Sequence, residues 1–152
     1  MPKTWIYVQR TGELFDSDGE LVATGYSGYT SLGKNNPSAQ KVQGIGPIPV
    51  GEWQIAREYF NSIDHGPLVL RLSPVAGTET YGRGGFLIHG DSVRAPGTAS
   101  RGCIVLARSA REHVYFENHA GRFDGRLHVV AEHVDLDAWL QAHPRAQAGA
   151  HA

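Results

Sequence analysis

A chain of 152 residues with 41% hydrophobic composition has enough apolar side chains for one core, and its net charge of −1 gives no field to draw it to nucleic acid or an anionic surface. Neither nucleic acid nor membrane insertion is therefore expected. No stretch reaches membrane-spanning length, the first ten residues lack the apolar run of a secretory signal, and a lone cysteine excludes an intrachain disulfide scaffold.

Nineteen glycines and eight prolines favour short strands joined by turns, so a mainly β fold is expected. Residues 4–9 alternate around Ile6 and Val8 and read as a strand. Asp16-Ser17-Asp18-Gly19 is a turn, and residues 20–24 complete a hairpin. Residues 26–43 are polar, rich in turn formers and read as a long functional loop. Gly44-Ile45-Gly46-Pro47-Ile48-Pro49-Val50-Gly51 is a rigid connector into a strand at 52–56, and 68–72 form another. Phe86-Leu87-Ile88 ends at His89. An irregular loop over 91–102 follows, and then the apolar Ile104-Val105-Leu106. Ser109-Ala110-Arg111-Glu112 has capping-box spacing and predicts a helix from about 110 to 118. Residues 127–130 return as a strand, and a last helix is expected after Asp135, from about 136 to 142, stopped by Pro144. One domain over 1–144 results, with a frayed tail over 145–152.

Cys103 stands in Ser100-Arg101-Gly102-Cys103, fourteen positions after His89 in Phe86-Leu87-Ile88-His89-Gly90-Asp91. A thiol becomes a strong nucleophile when an imidazole takes its proton. Taken alone, a single cysteine is more often a small core residue, and a histidine at a strand end more often a hydrogen-bonded edge residue. Their neighbours favour chemistry. Ser100 and Gly102 suit a tight turn with outward amides, which an acyl-transfer site needs for its oxyanion. The carbonyl of Gly90, or Asp91, can hold the His89 ring in one tautomer. A zinc site is not expected, because the eight histidines form no close ligand pair with Cys103, and no phosphate-cradling glycine motif is present. No cofactor is implied.

The order His-Gly, loop, Ser-x-Gly-Cys and an aliphatic residue resembles the active-site signature of L,D-transpeptidases of the YkuD type, whereas papain-like enzymes place the cysteine first. Gly25-Tyr26-Ser27-Gly28, Gly33-Lys34-Asn35-Asn36-Pro37 and Gly46-Pro47-Ile48-Pro49-Val50-Gly51-Glu52-Trp53 resemble the type VI secretion effector branch of that superfamily, over roughly 5–130. The resemblance implies a YkuD-like β-sandwich or barrel with one or two short helices. It further implies a Cys–His transpeptidase or carboxypeptidase that cleaves the diaminopimelate–D-alanine bond of peptidoglycan tetrapeptide stems. Cys103 is then the nucleophile and His89 the base, with the amides of Gly102 and Cys103 receiving the oxyanion. It places Tyr26 and Asn35 near the cleft. Arg101 stands where the superfamily commonly has a second histidine, so it either substitutes by charge or faces solvent. Arg94 and Arg83 are candidates for gripping stem carboxylates. An immunity protein and a secretion carrier are implied partners, with synthesis in the cytoplasm and delivery by type VI machinery to a target periplasm. A cysteine amidase or peptidase cutting another wall bond, and a non-catalytic wall-binding module, are the competing readings.

Overall fold

The first strand, β1 (Thr4–Val8), shows how the alternation is used. Trp5 and Tyr7 enter one buried cluster, while Ile6 and Val8 enter another, so both faces are covered. In the computed structural model, which describes residues 2–144, β1 lies inside one nine-stranded mixed sheet. The other strands are β2 (Glu13–Asp16), β3 (Leu21–Thr24), β4 (Tyr26–Ser27), β5 (Gly51–Ser62), β6 (Gly66–Pro74), β7 (Leu87–His89), β8 (Ile104–Val105) and β9 (Gly125–Val130). Their order is β3-β2-β1-β9-β5-β6-β7-β8-β4. Only β1–β9 and β7–β8 pair in parallel. The mainly β class with minor helix holds.

β3 and β4 occupy opposite ends of that order, yet Gly25 alone separates them in the chain. Two peptide units span at most about 7.6 Å, so the sheet curls until its ends meet. Gly25 forms the seam. Its N–H donates to the Gly12 carbonyl at 2.7 Å, and a side chain there would collide with the Val105 carbonyl.

Three helices complete the fold: α1 (Thr30–Gly33), α2 (Arg108–Gly121) and α3 (His133–Ala142). α2 packs against β5 and β6, burying Ala110 and Val114 in the main core with Trp53, Leu70 and Ile104. α3 covers the outer face of β1 and β9 through Leu136, which meets Ile6, Val8, Phe15 and Val130.

Both long helices begin earlier than the sequence suggests. Ser109 lies inside the first turn of α2, whose N-cap is Ala107 with no side-chain bond. The Ser109–Glu112 spacing is therefore not a capping box, and Glu112 pairs with Arg108 at 3.3 Å instead. In α3 the capping box is formed by Glu132 and Asp135, so Asp135 is the third helical residue rather than the cap. The segment read as a loop over 26–43 holds β4, α1 and a 3-10 turn at Pro37–Ala39. The tail expected at 145–152 lies outside the described residues.

Candidate active site

β7 and β8 run in parallel with Ile88 opposite Ile104 and His89 opposite Val105. One further step of that register sets Cys103 beside Leu87, whose amide donates to the sulfur. Side chains two apart along a strand share a face. Ile88 and Ile104 point into the core, so His89 at the end of β7 and Cys103 immediately before β8 fall on the opposite side from them, offset by two residues. Both line one cavity of about 410 Å³, together with Arg83, Gly85, Phe86 and Arg101. The expected histidine and cysteine are thus brought together.

The His89 ring is 2% exposed, and its Nδ1 lies 2.7 Å from the Gly90 carbonyl. A carbonyl only accepts, so Nδ1 carries the proton and Nε2 is the free base. Nε2 is buried with no hydrogen-bond partner. Gly90, not Asp91, is therefore the group that sets the tautomer. Burial, chiefly, keeps His89 below the ordinary histidine pKa, with the charges of His65 and Arg111 adding to it against the Gly90 carbonyl.

Burial likewise pushes the Cys103 thiol up, opposed by the Leu87 amide and the Arg83 charge. At rest the thiol donates to the Gly85 carbonyl at 3.7 Å and makes no hydrogen bond to His89 Nε2. The pair is accordingly neutral: a protonated thiol beside an unprotonated imidazole, rather than a preformed ion pair.

The turn before Cys103 is held by two serines. Ser100 Oγ donates to the Cys103 carbonyl (2.5 Å) and accepts the amides of Gly102 (3.1 Å) and Gly28 (2.8 Å). Ser27 Oγ donates to the Gly102 carbonyl (2.9 Å) and accepts the Ile48 amide (2.9 Å). The Gly102 amide, expected in the oxyanion hole, is thus engaged by Ser100, which leaves the Cys103 amide as the donor in this turn that Ser100 does not hold. Gly102 adopts φ +140°, and a Cβ there would lie 2.6 Å from the Arg83 guanidinium.

The remaining candidates divide. Asp91 organises the loop after β7: its carboxylate accepts Tyr26 Oη (2.6 Å) and the amides of Ser92 (2.8 Å) and Gly97 (3.1 Å). Burial raises its pKa, but those bonds outweigh it and hold the carboxyl below the usual range. Tyr26, pushed up to about 12 by burial and by Asp91, also accepts the Ala99 amide at 2.9 Å. It braces the loop and does not line the cavity. Asn35 also stays out of the cleft, accepting the Ser27 amide at 3.2 Å to hold β4. Arg94 is exposed on the loop and away from the cavity. Arg101 lines the rim, with its guanidinium 4.5 Å above the Tyr29 ring.

Arg83 is not free to grip a substrate carboxylate. Its two terminal nitrogens donate to the carbonyls of Gln40 (2.6 Å), Pro47 (2.8 Å), Gly46 (2.8 Å) and Arg101 (3.3 Å). It clamps the 40–47 connector to the turn before Cys103 and leaves a buried positive charge near the thiol. The sequence reading also passed over Ser27 as a brace of this turn, and His65. The His65 ring stacks on His89 (centroids 4.5 Å, 28°) from the tip of the β5–β6 hairpin. No local pattern around Asp64-His65-Gly66 marks that contact.

Beyond His65 and His89 the cleft opens into a second cavity of about 640 Å³, lined by Gly90, Leu106, Ala107, Arg108 and Arg111 among others. Among the described residues, no group of three or more His, Cys, Asp or Glu could hold a metal ion, and no helix is long and apolar enough to cross a membrane. A family model described as the Tlde1 domain matches residues 22–130, more than half of the chain. Neither a curated protein nor a solved structure matches it.

Proposed function

The chain belongs to the Tlde1 domain family, the L,D-transpeptidase effector domains of type VI secretion, and from that premise we propose that it is a cysteine L,D-transpeptidase and L,D-carboxypeptidase of peptidoglycan. Its substrate is the tetrapeptide stem, cut between diaminopimelate and the terminal D-alanine. The observation that carries this reading is that His89, at the end of β7, and Cys103, immediately before the parallel β8, line one cavity.

The chemistry follows from a neutral pair. Substrate entry draws the thiol from the Gly85 carbonyl toward His89 Nε2, which takes its proton as sulfur attacks the diaminopimelate carbonyl carbon. The negative charge moves to the carbonyl oxygen, where the Cys103 amide and the fixed Arg83 charge favour it. Collapse breaks the C–N bond, and the departing D-alanine amine receives the proton from His89. The thioester is then attacked by water, giving trimming, or by the amine of another D-amino acid, giving exchange. His89 takes the incoming proton and passes it to the departing sulfur, which restores the neutral pair. Acting in a target periplasm, such an enzyme requires a secretion carrier and an immunity protein in the producer.

Mass spectrometry of purified tetrapeptide muropeptides tests this, with Cys103→Ala as control. Loss of one D-alanine, or its replacement by an added D-amino acid, is expected only with the native protein. Unchanged muropeptides with both proteins would sink the reading.

A further inference from the structure

The wall of the second cavity carries a buried cation that forms no ion pair among the described residues. Arg111 is 4% exposed, and its Nε has no hydrogen-bond partner. Its one hydrogen bond, to the Leu106 carbonyl, is long at 3.3 Å, and no acidic residue pairs with it among the described residues. The other charged residues on this wall, Asp64, Asp91 and Arg108, form no ion pair with Arg111 among the described residues. Asp91 is taken up by Tyr26 and two loop amides, and Arg108 pairs with Glu112. A buried charge in this condition is costly unless something binds to it.

Two further features converge on the same space. α2 is fourteen residues long and begins at Ala107 and Arg108 on the cavity wall. The amides of Ala110 and Arg111 bond to the Ala107 carbonyl, and Ala107 offers no side-chain cap to the amides of Arg108 and Ser109 before them, at the positive end of the dipole. The guanidinium also packs directly on Gly90: a Cβ there would lie 2.8 Å from Nη1. That contact sets the cation against the residue next to the base.

We propose that Arg111, with the uncapped start of α2, is the anchor for the α-carboxylate of the amino acid whose amine leaves or enters at His89. The inference rests on the acyl-transfer reading above. The leaving amine must receive its proton from His89 Nε2, and an entering amine must surrender one to the same nitrogen, so both occupy one position. In an α-amino acid the carboxylate lies one carbon from the amine. It therefore falls on the side of His89 away from the sulfur, where the unpaired donors are. A guanidinium there selects a free chain terminus, and an internal peptide bond, carrying no charge at that point, leaves the donors unfilled.

The test compares two synthetic stems, one ending in D-alanine and one in D-alaninamide, and reads the ratio of kcat/KM within each protein. Loss of folded protein cancels in that ratio. The native enzyme is expected to prefer the free acid by about 10- to 100-fold, the range of a buried charge-assisted contact. Arg111→Gln should bring the ratio close to one, and Arg111→Lys should restore part of it. Equal cleavage of acid and amide by the native enzyme, or an undiminished preference in Arg111→Gln, would overturn the proposal. If neither stem is cut by any protein, the acyl-transfer reading itself fails, and binding decides the anchor. The His89 ring resonances should then move on titration with D-alanine but not D-alaninamide, and only in the native protein. Resonances that do not move, or that respond alike to both probes, dismiss the anchor.

Discussion

Arg83 and Arg111 are the same residue type at nearly the same burial, 6% and 4% exposed, one in each lobe of the cleft. Arg83 spends both terminal nitrogens on four carbonyls, while Arg111 makes one long bond and leaves Nε unpaired. The difference teaches that burial alone does not assign a role to an arginine; what its donors meet does. A saturated guanidinium is a brace that also lends charge, and an unsaturated one is a receptor.

Stability offers the largest contrast. Arg83→Met strands four carbonyls and is expected to cost about 3 kcal/mol or more, whereas Arg111→Met should cost less than about 1 kcal/mol, since it also removes an unpaired buried charge. Urea unfolding of both variants measures this, and equal losses would erase the distinction.

The thiol gives a smaller effect. With burial holding Cys103 protonated, iodoacetamide labelling should be slower at pH 7 than for an exposed thiol. It should climb about tenfold per pH unit up to a pKa above the ordinary thiol value. Arg83→Lys should slow it further, because a flexible ammonium cannot hold the same position, while Arg111→Lys should leave it alone. Rapid labelling at pH 7 would mean that the pair is ionised at rest.

The smallest effect concerns His65, at the boundary between the lobes. Since His89 is held below the ordinary histidine pKa, it stays an unprotonated base at pH values where a free imidazole is already charged, and activity falls only as pH drops through the lowered value. His65→Ala removes one cover and one repelling charge, so the acid limb should move up, toward about 6.5, by less than about one pH unit. NMR titration of the His89 ring reads the same shift, and an unmoved curve would deny the stack any electrostatic weight.

Much of the site was legible because its chemistry is local. His89-Gly90 and Ser100-Arg101-Gly102-Cys103 each bring their own turn and strand, and their order along the chain matches parallel pairing of β7 and β8. Gly25-Tyr26-Ser27-Gly28 could be quoted as a motif, but its function is visible only in three dimensions. Tyr26 holds Asp91, Ser27 holds Gly102, and Gly28 is bound by Ser100. Tyr26 and Asn35 therefore brace the cleft from behind instead of lining it. Arg111 escaped notice because it reads as an ordinary helical cation until its missing partner is seen. The helix starts were misplaced for a simpler reason: α2 begins on an alanine, which carries no capping signal.

The seam at Gly25 bears on how the protein behaves among its copies. A sheet of nine strands would ordinarily present two full-length edges onto which a foreign strand can add. Here one bent run of chain serves as both ends, so the terminal edges of the sheet are no longer than the four-residue β3 and the two-residue β4. With a net charge of −1, mutual repulsion does little to keep molecules apart. The shortness of its terminal edges is therefore a property of its closure, and a side chain forced in at position 25 is expected to cost colloidal stability along with folding.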